Sequence, residues 1–263
     1  MKKFFYLFAL ICSVCLFSAC SDDDPAPDEK SNSDLVGTWN VEETQTKDEG
    51  LYDGSFKMTW TVPEGTSLTI SMGGMELPMD INETIVPLAS NLANTYLPQV
   101  LKSVTFGKDG SITALYKEAD LDDDTYSTDA TGDWKVATGY ATYKVVDDTH
   151  IKLFLNTDKI SAEGEDAEEK EMIKNIMKKF EAGIPVNVRW NADKSKAYFF
   201  VDKDFVQPIL VSINTILSQV PSDSIDEDNR DTFEMMKNLV SQLPGVMDKT
   251  TAFEAGLQLD KQK

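Results

Sequence analysis

Between Ser55 and Val62, apolar Phe56, Met58, Trp60 and Val62 stand at every second position, separated by Lys57, Thr59 and Thr61. A period of two places all four on one side of a pleated chain, so a half-buried strand is expected there. Leu35 to Val41 is another run of strand formers. Leu68 to Met72 and Met75 to Met79 flank Gly73-Gly74, which suits a two-residue primed turn and so a hairpin. Further hairpins are expected at Val104-Thr105-Phe106 with the turn Gly107 to Gly110, and at Ala141 to Val146 with Asp147-Asp148. Another runs Val186 to Trp190, turns through Asn191 to Lys194 and returns through Ala197 to Val201; a last strand is expected at Ala252 to Leu259.

Four segments carry a helical period instead. In Glu83 to Leu101, Ile85, Ala89, Leu92, Tyr96 and Val100 share one face, with Pro98 a kink or early stop. Ala167 to Phe180 opens with Glu168, Glu169 and Glu171 and closes with Lys178 and Lys179, the charge order a helix dipole favours. Phe205 to Val220 and Asp231 to Leu243 complete the set, the latter stopped by Pro244-Gly245. The acidic connections Glu118 to Asp133, Asp158 to Glu169 and Pro221 to Asp231 read as surface loops.

The start of the chain gives an address. Lys2 and Lys3 precede an apolar run from Phe4 to Phe17, and Ser18-Ala19 then stand before Cys20. Such a run is a secretory signal, too short to span a bilayer. The small pair before Cys20 resembles a bacterial lipobox, which implies a signal peptide at 1–19 and acylation of Cys20. Ser21-Asp22-Asp23-Asp24 resembles the signal that carries lipoproteins of Bacteroidetes to the outer face of the outer membrane. Residues 20–34 are polar and acidic with Pro25 and Pro27, so a disordered tether is expected, followed by one domain at 35–263.

Charge and cysteine content narrow the chemistry. Without Lys2 and Lys3, 23 basic residues face 45 acidic ones, a net charge of −22. That disfavours nucleic acid and anionic lipid surfaces as partners of the domain. Cys12 and Cys15 lie in the signal and Cys20 is the acylation site, which leaves the domain no disulfide, thiolate nucleophile or cysteine-ligated metal. His150 is the single histidine and reads as a turn residue. Asp120-x-Asp122-x-Asp124 opens like a calcium loop, but Thr125 and Thr131 stand where Gly and Glu are needed; Asp226-Glu227-Asp228 is likewise a solvated acidic stretch. Met72, Met75 and Met79 are explained as packing residues of a hairpin. No cofactor or metal set emerges, no catalytic constellation is visible, and carboxylate pairs are too numerous to single one out. The aromatic residues Trp60, Trp134, Trp190, Tyr116 and Phe199 are the candidate cavity-lining residues.

Leu35-Val36-Gly37-Thr38-Trp39 after the tether resembles the first-strand Gly-x-Trp of lipocalins and other calycins, and in particular of uncharacterised lipocalin-like lipoproteins of Bacteroidetes. Tyr143 to Leu153 is similar to a mid-barrel hairpin of that group. The resemblance implies that Trp39 packs at a closed barrel end, that Gly37 permits close backbone approach, and that an apolar ligand sits above. It also implies an Arg on a late strand, for which the chain has no matching motif. Gly37-Thr38-Trp39 and Gly132-Asp133-Trp134, each followed by hairpins, allow a duplication of 35–118 and 131–203, or chance similarity. The expected fold is mainly β (α+β): an antiparallel lipocalin-like barrel or strongly curved sheet elaborated by about four amphipathic helices. The expected function is a surface-anchored lipoprotein binding a small apolar or amphipathic ligand. The alternative is an accessory lipoprotein docking to an outer-membrane protein or glycan; a carboxylate hydrolase ranks third.

Overall fold

A computed structural model describes residues 34–46, 52–72, 75–117, 132–162, 167–222 and 227–263. The signal, Cys20, the tether, the Gly73-Gly74 turn and the Asp120 to Asp124 run lie outside these residues, as does Asp226.

The strands are β1 (Gly37–Val41), β2 (Gln45–Thr46), β3 (Tyr52–Asp53), β4 (Phe56–Thr61), β5 (Ser67–Met72), β6 (Met75–Asp80), β7 (Leu101–Phe106) and β8 (Ser111–Tyr116), then β9 (Lys135–Asp147), β10 (His150–Leu155), β11 (Ile184–Trp190), β12 (Lys196–Asp202) and β13 (Ala252–Lys261). The helices are α1 (Val86–Val100), α2 (Thr157–Ala162), α3 (Ala167–Met177), α4 (Lys203–Gln219) and α5 (Glu227–Lys249). Strands β1, β7, β8, β9, β10, β11, β12 and β13 pair in that order, all antiparallel, and β13 pairs back onto β1. The molecule is therefore a closed eight-strand barrel of the lipocalin-like, mainly-β kind. Closure leaves these strands no open edge at that end.

One wall is made in two pieces. β1 pairs with Leu259–Lys261 of β13, and β4 follows along the same edge, Phe56 opposite Leu257 and Thr61 opposite Ala252. Between them the Gln258 N–H donates to the Ser55 carbonyl at 2.7 Å, keeping the ladder continuous across the interruption. Among the described residues β4 has no strand on its other side; α1 packs there. The barrel is thus completed by a strand at one end and by a helix at the other.

Antiparallel order also sorts the connections. The tight turns Gly107–Gly110, Asp148-Thr149 and Asn191–Ser195 lie at the end where β1 begins and β13 finishes. The helices all attach at the opposite end. The main core lies within the barrel and takes in Ile160 of α2, Ile173, Ile176 and Met177 of α3, and Phe180 just beyond it. A second core packs the β5–β6 hairpin and the end of α5 on β4 through Trp60, Val62, Leu68, Ile81, Val246 and Met247, and Val206 of α4 packs against both this core and the first. A third joins α4 to α5 through Leu217, Phe233 and Val240.

Three expectations are corrected. α5 does not stop at Pro244 but runs to Lys249. An interior proline costs about 3 kcal/mol, whereas burying Val246 and Met247 contributes roughly 1.5–3 kcal/mol each, so burial wins. The connection after β10 is not all loop: Asn156 accepts from the Lys159 N–H at 2.8 Å to cap α2, and Ile160 and Ser161 are buried. In α1 the fully buried residue is Asn94, while Leu92, expected on the buried face, is exposed.

Candidate functional site: the helix-flanked end of the barrel

At the tight-turn end the interior is occupied by the chain's own side chains. Trp39 is wholly buried, and its indole N–H donates to the Leu35 carbonyl at 2.8 Å, holding Leu35 as a plug. Phe199 lies edge-on to Trp39 with centroids 5.7 Å apart and stacks on Phe106 at 5.4 Å. Phe106 meets Tyr143 edge-on at 5.2 Å, and the Tyr143 hydroxyl donates to the Gly107 carbonyl at 2.7 Å. Gly37 has φ +130, a conformation that suits glycine, and a Cβ there would touch Lys261 Cε at 3.4 Å. Lys261 places its ammonium 5.3 Å from the Trp39 ring centroid and donates to the Asp34 carbonyl. Lys194 pairs with Asp34, and its ammonium holds the Asp34 carboxyl below the usual range.

The opposite end is built differently. From Ile85 to Leu101 and from Phe205 to Val220 there is no charged residue, although the chain as a whole carries 45 acidic ones. Uncharged helices ordinarily become fully buried, yet only Asn94 of α1 and only Leu217 of α4 do so. Leu97 and Val100 of α1, Tyr116 of β8, Tyr140 of β9, and Ile209 and Ile216 of α4 lie against the barrel core and are half-buried. On β8, Ala114 and Tyr116 share the inner face with buried Ile112 by strand alternation, so solvent reaches inward-facing residues at this end. The same end offers apolar walls and aromatic rings.

Its rim on the β7–β9 side is basic. Lys117 and Lys102 set their ammonium groups 5.1 and 5.7 Å from the Trp134 centroid. Lys159 lies 4.2 Å from the Tyr140 centroid and donates to the Thr138 carbonyl at 2.5 Å. Gly139, at φ +68, forms the bulge that lets β9 turn Tyr140 toward α2, and its carbonyl accepts from Asn156 Nδ2 at 3.1 Å.

The five aromatic residues singled out by the sequence do not converge. Phe199 is interior, but in the filled end. Tyr116 is at the open end, and Trp134 stands at its rim. Trp190 is 5.7 Å from Trp39 at the tight-turn end, its N–H donating to the Asp148 carbonyl at 2.8 Å. Trp60 is in the second core, edge-on to Phe253, its N–H donating to Thr250 at 2.9 Å. Leu97, Val100, Tyr140, Ile209 and Ile216 were not singled out; the signal that marks most of them is the absence of charge over two long stretches of an acidic chain.

Carboxylate chemistry has no focus here. His150 is exposed and lies 2.7 Å from Asp147. Among the described residues, the carboxyls that depart from their ordinary values do so downward. In Asp109, Asp147 and Asp193 the cause is the Ser or Thr two residues on: Ser111, Thr149 and Ser195 each donate to the Asp from backbone and side chain. His150 adds to this at Asp147, which falls to about 2. These are turn-stabilising groups, whereas a general acid needs the opposite shift. No group of three or more His, Cys, Asp or Glu that could hold a metal ion occurs among the described residues. The similarity of the Asp109 and Asp193 turns belongs to the turn type, since the Asp147 turn shares it.

Fold and site thus define a closed antiparallel barrel, plugged at one end and flanked by helices at the other. Compared with protein-family models, curated proteins and solved structures, the chain matches none.

Proposed function

We propose that this chain is a lipid-anchored binding protein of the bacterial outer membrane, exposed at the cell surface, which takes a small apolar or amphipathic ligand at the helix-flanked end of its barrel. One observation carries the reading: Leu97, Val100, Tyr116, Tyr140, Ile209 and Ile216 line that end and are only half-buried, while the other end is plugged. Small-molecule sites are concave, largely apolar and furnished with a few polar groups, and this end has that composition. The lipobox-like Ser18-Ala19-Cys20 and the acidic run behind it support the anchor, which no helix replaces: none among the described residues is long and apolar enough to cross a membrane.

Native mass spectrometry of the purified protein against its denatured mass tests the ligand. An added mass released on denaturation is expected. A bare protein whose thermal stability is unmoved by lipids, haem, bile acids and glycans overturns it. Cys20→Ala is expected to move the protein out of the membrane fraction; retention there overturns the anchor.

A second reading rests on Leu88 and Leu92, 46% and 49% exposed one turn apart on α1. They suit an accessory protein docking to an outer-membrane partner. It gains if the protein is bare and Leu88→Ser/Leu92→Ser abolishes a membrane pull-down.

A further inference from the structure

The helices over the helix-flanked end are held in place in different ways. α2 and α3 bury Ile160, Ile173, Ile176 and Met177 in the main core. α4 is backed by α5 through Leu217, Phe233 and Val240. In α1, Asn94 is the one buried residue; Leu97 and Val100 are half-buried against the core, and Leu88 and Leu92 are exposed.

α1 also stands at a seam in the barrel wall. β1 pairs with β7 from Ser103 to Phe106, and β4 pairs with β13 from Ala252 to Leu257. At Leu101 and Lys102 the β1-side edge of β7 has no strand partner among the described residues, and neither has the outer edge of β4. α1 packs on both strands and turns Leu97 and Val100 to the core. Inside the seam lie Leu101 and Tyr116, opposite each other across β7 and β8.

What ties α1 to β4 is polar and converges on Asn94. Its side-chain amide pairs with the Phe56 N–H and carbonyl at 2.9 and 3.1 Å. Its backbone carbonyl is released from the helix because Pro98, four residues on, has no N–H to donate. That carbonyl accepts instead from the Thr44 hydroxyl. A Cβ on Gly54 would lie 2.7 Å from Asn94 Oδ1 and 3.0 Å from Thr44 Oγ1, so glycine there leaves room for both. A cover held by a few hydrogen bonds and little buried apolar area opens more readily than one sunk into a core. The ends of α1 stay fixed, by buried Ile81 before it and buried Leu101 after it.

We infer that α1 is the gate of a lateral entry between β4 and β7, latched by Asn94, through which an apolar ligand reaches the barrel beside Leu97 and Val100. The inference rests on the ligand-binding reading above and adds the route. α1 leaves β4 as a strap held at both ends, while the better-buried α2 and α3 and the α4–α5 pair stay in place.

The test uses the whole chain carrying Cys20→Ser, which keeps it free of lipid, and has two parts. Hydrogen exchange without ligand comes first: the amides of Leu88 to Gln99 are expected to exchange at least about tenfold faster than those of β11 and β12. Protection of α1 equal to that of these strands overturns the gate. Stopped-flow binding of Nile red to the parent, Thr44→Val and Gly54→Ala follows. Both substitutions weaken the latch with and without ligand alike, so association and dissociation should each accelerate about threefold while Kd stays within about a factor of two. Retained dye binding shows that each variant is folded. Dye binding with unchanged rates in both variants overturns the gate and leaves the apolar site standing. A change in dissociation alone, with Kd moving in step, places Thr44 and Gly54 at the bound ligand and also overturns it. Absence of dye binding in the parent, with no co-purified ligand, removes the binding reading and this one together.

Discussion

The side-chain amide of Asn94 stands beside Phe56 where a neighbouring strand would otherwise lie. Asn94 Oδ1 accepts from the Phe56 N–H at 2.9 Å, and Asn94 Nδ2 donates to the Phe56 carbonyl at 3.1 Å. One amide thus reproduces both halves of a β-ladder pair on the edge of β4 that has no strand partner among the described residues. Gln242 of α5 does the same for β5: Oε1 accepts from the Thr69 N–H and Nε2 donates to its carbonyl, both at 2.8 Å. Two sheet edges are finished by amides on helices, which meets the demand that backbone polar groups be paired when water is kept out.

Asn94→Ala should therefore cost more than an average hydrogen bond. The residue is buried, and its loss strands a donor and an acceptor on Phe56 while also freeing the Tyr52 carbonyl, 3.4 Å from Nδ2. With about 1–3 kcal/mol for each buried group left unpaired, a loss of about 2–4 kcal/mol is expected in urea denaturation. Asn94→Asp, the same shape without the donor, should fall in the same range at neutral pH. A loss below about 0.5 kcal/mol for either variant would show that β4 is held by β13 alone.

Close approach of backbones predicts a second loss. A Cβ on Gly256 would lie 2.6 Å from Phe200 Cα and nearer still to the Phe199 carbonyl, on the central β12–β13 pair. Gly256→Ala is expected to destabilise by about 3 kcal/mol, at the upper end for forced overpacking. Gly65→Ala is the control: nothing lies within 4 Å, and the strain comes only from φ +76, about 1 kcal/mol. Equal effects of the two in thermal unfolding would contradict the close approach.

The strands were legible where one face is buried and one is wet. Phe56 to Val62 and the three barrel hairpins alternate because the barrel wall does. Helix ends were harder to read, because Pro244 competes with burial of Val246 and Met247, which are distant in sequence from their partner Trp60. The split of the first strand was invisible: nothing local in Val41 or Phe56 records that both pair with β13. Aromatic residues were a poor guide to the site for a related reason. Tryptophans on strands here face the plugged interior, the second core and the rim, and alternation alone does not tell these surroundings apart. Lack of charge in α1 and α4 was the better signal, since it needs no knowledge of pairing.

Acid titration gives a third prediction. The Asp147 carboxyl lies at about 2, well under its ordinary 3.8, because the Thr149 N–H and then His150 favour its charged form. A folded value below the unfolded one means that its stabilising contribution is complete above about pH 4 and is lost as pH falls through about 2. Asp147→Asn should therefore lower stability at neutral pH, and the difference from the parent protein should vanish toward pH 2. Carboxyl NMR titration checks the value directly; a midpoint at 3.8 or above would remove the basis of the prediction.

The last prediction separates residues that merely look like cavity lining from those that line the open end. Trp60 lies in the second core and Trp190 at the plugged end, and neither is among the residues that line the helix-flanked end. Trp60→Phe loses the hydrogen bond to Thr250, about 1 kcal/mol of stability, and Trp190→Phe loses the one to Asp148, which is exposed and worth less. Both should bind a hydrophobic dye within about a factor of two of the parent protein, as distant sites act independently. Tyr116→Ala removes an aromatic face from the open end and should weaken the same dye by about tenfold, which corresponds to about 1.4 kcal/mol of lost contact. Dissociation constants and melting temperatures measured on the three variants decide the matter. If Trp190→Phe loses the dye and Tyr116→Ala keeps it, the ligand enters by the tight-turn end and the assignment of the two ends is reversed.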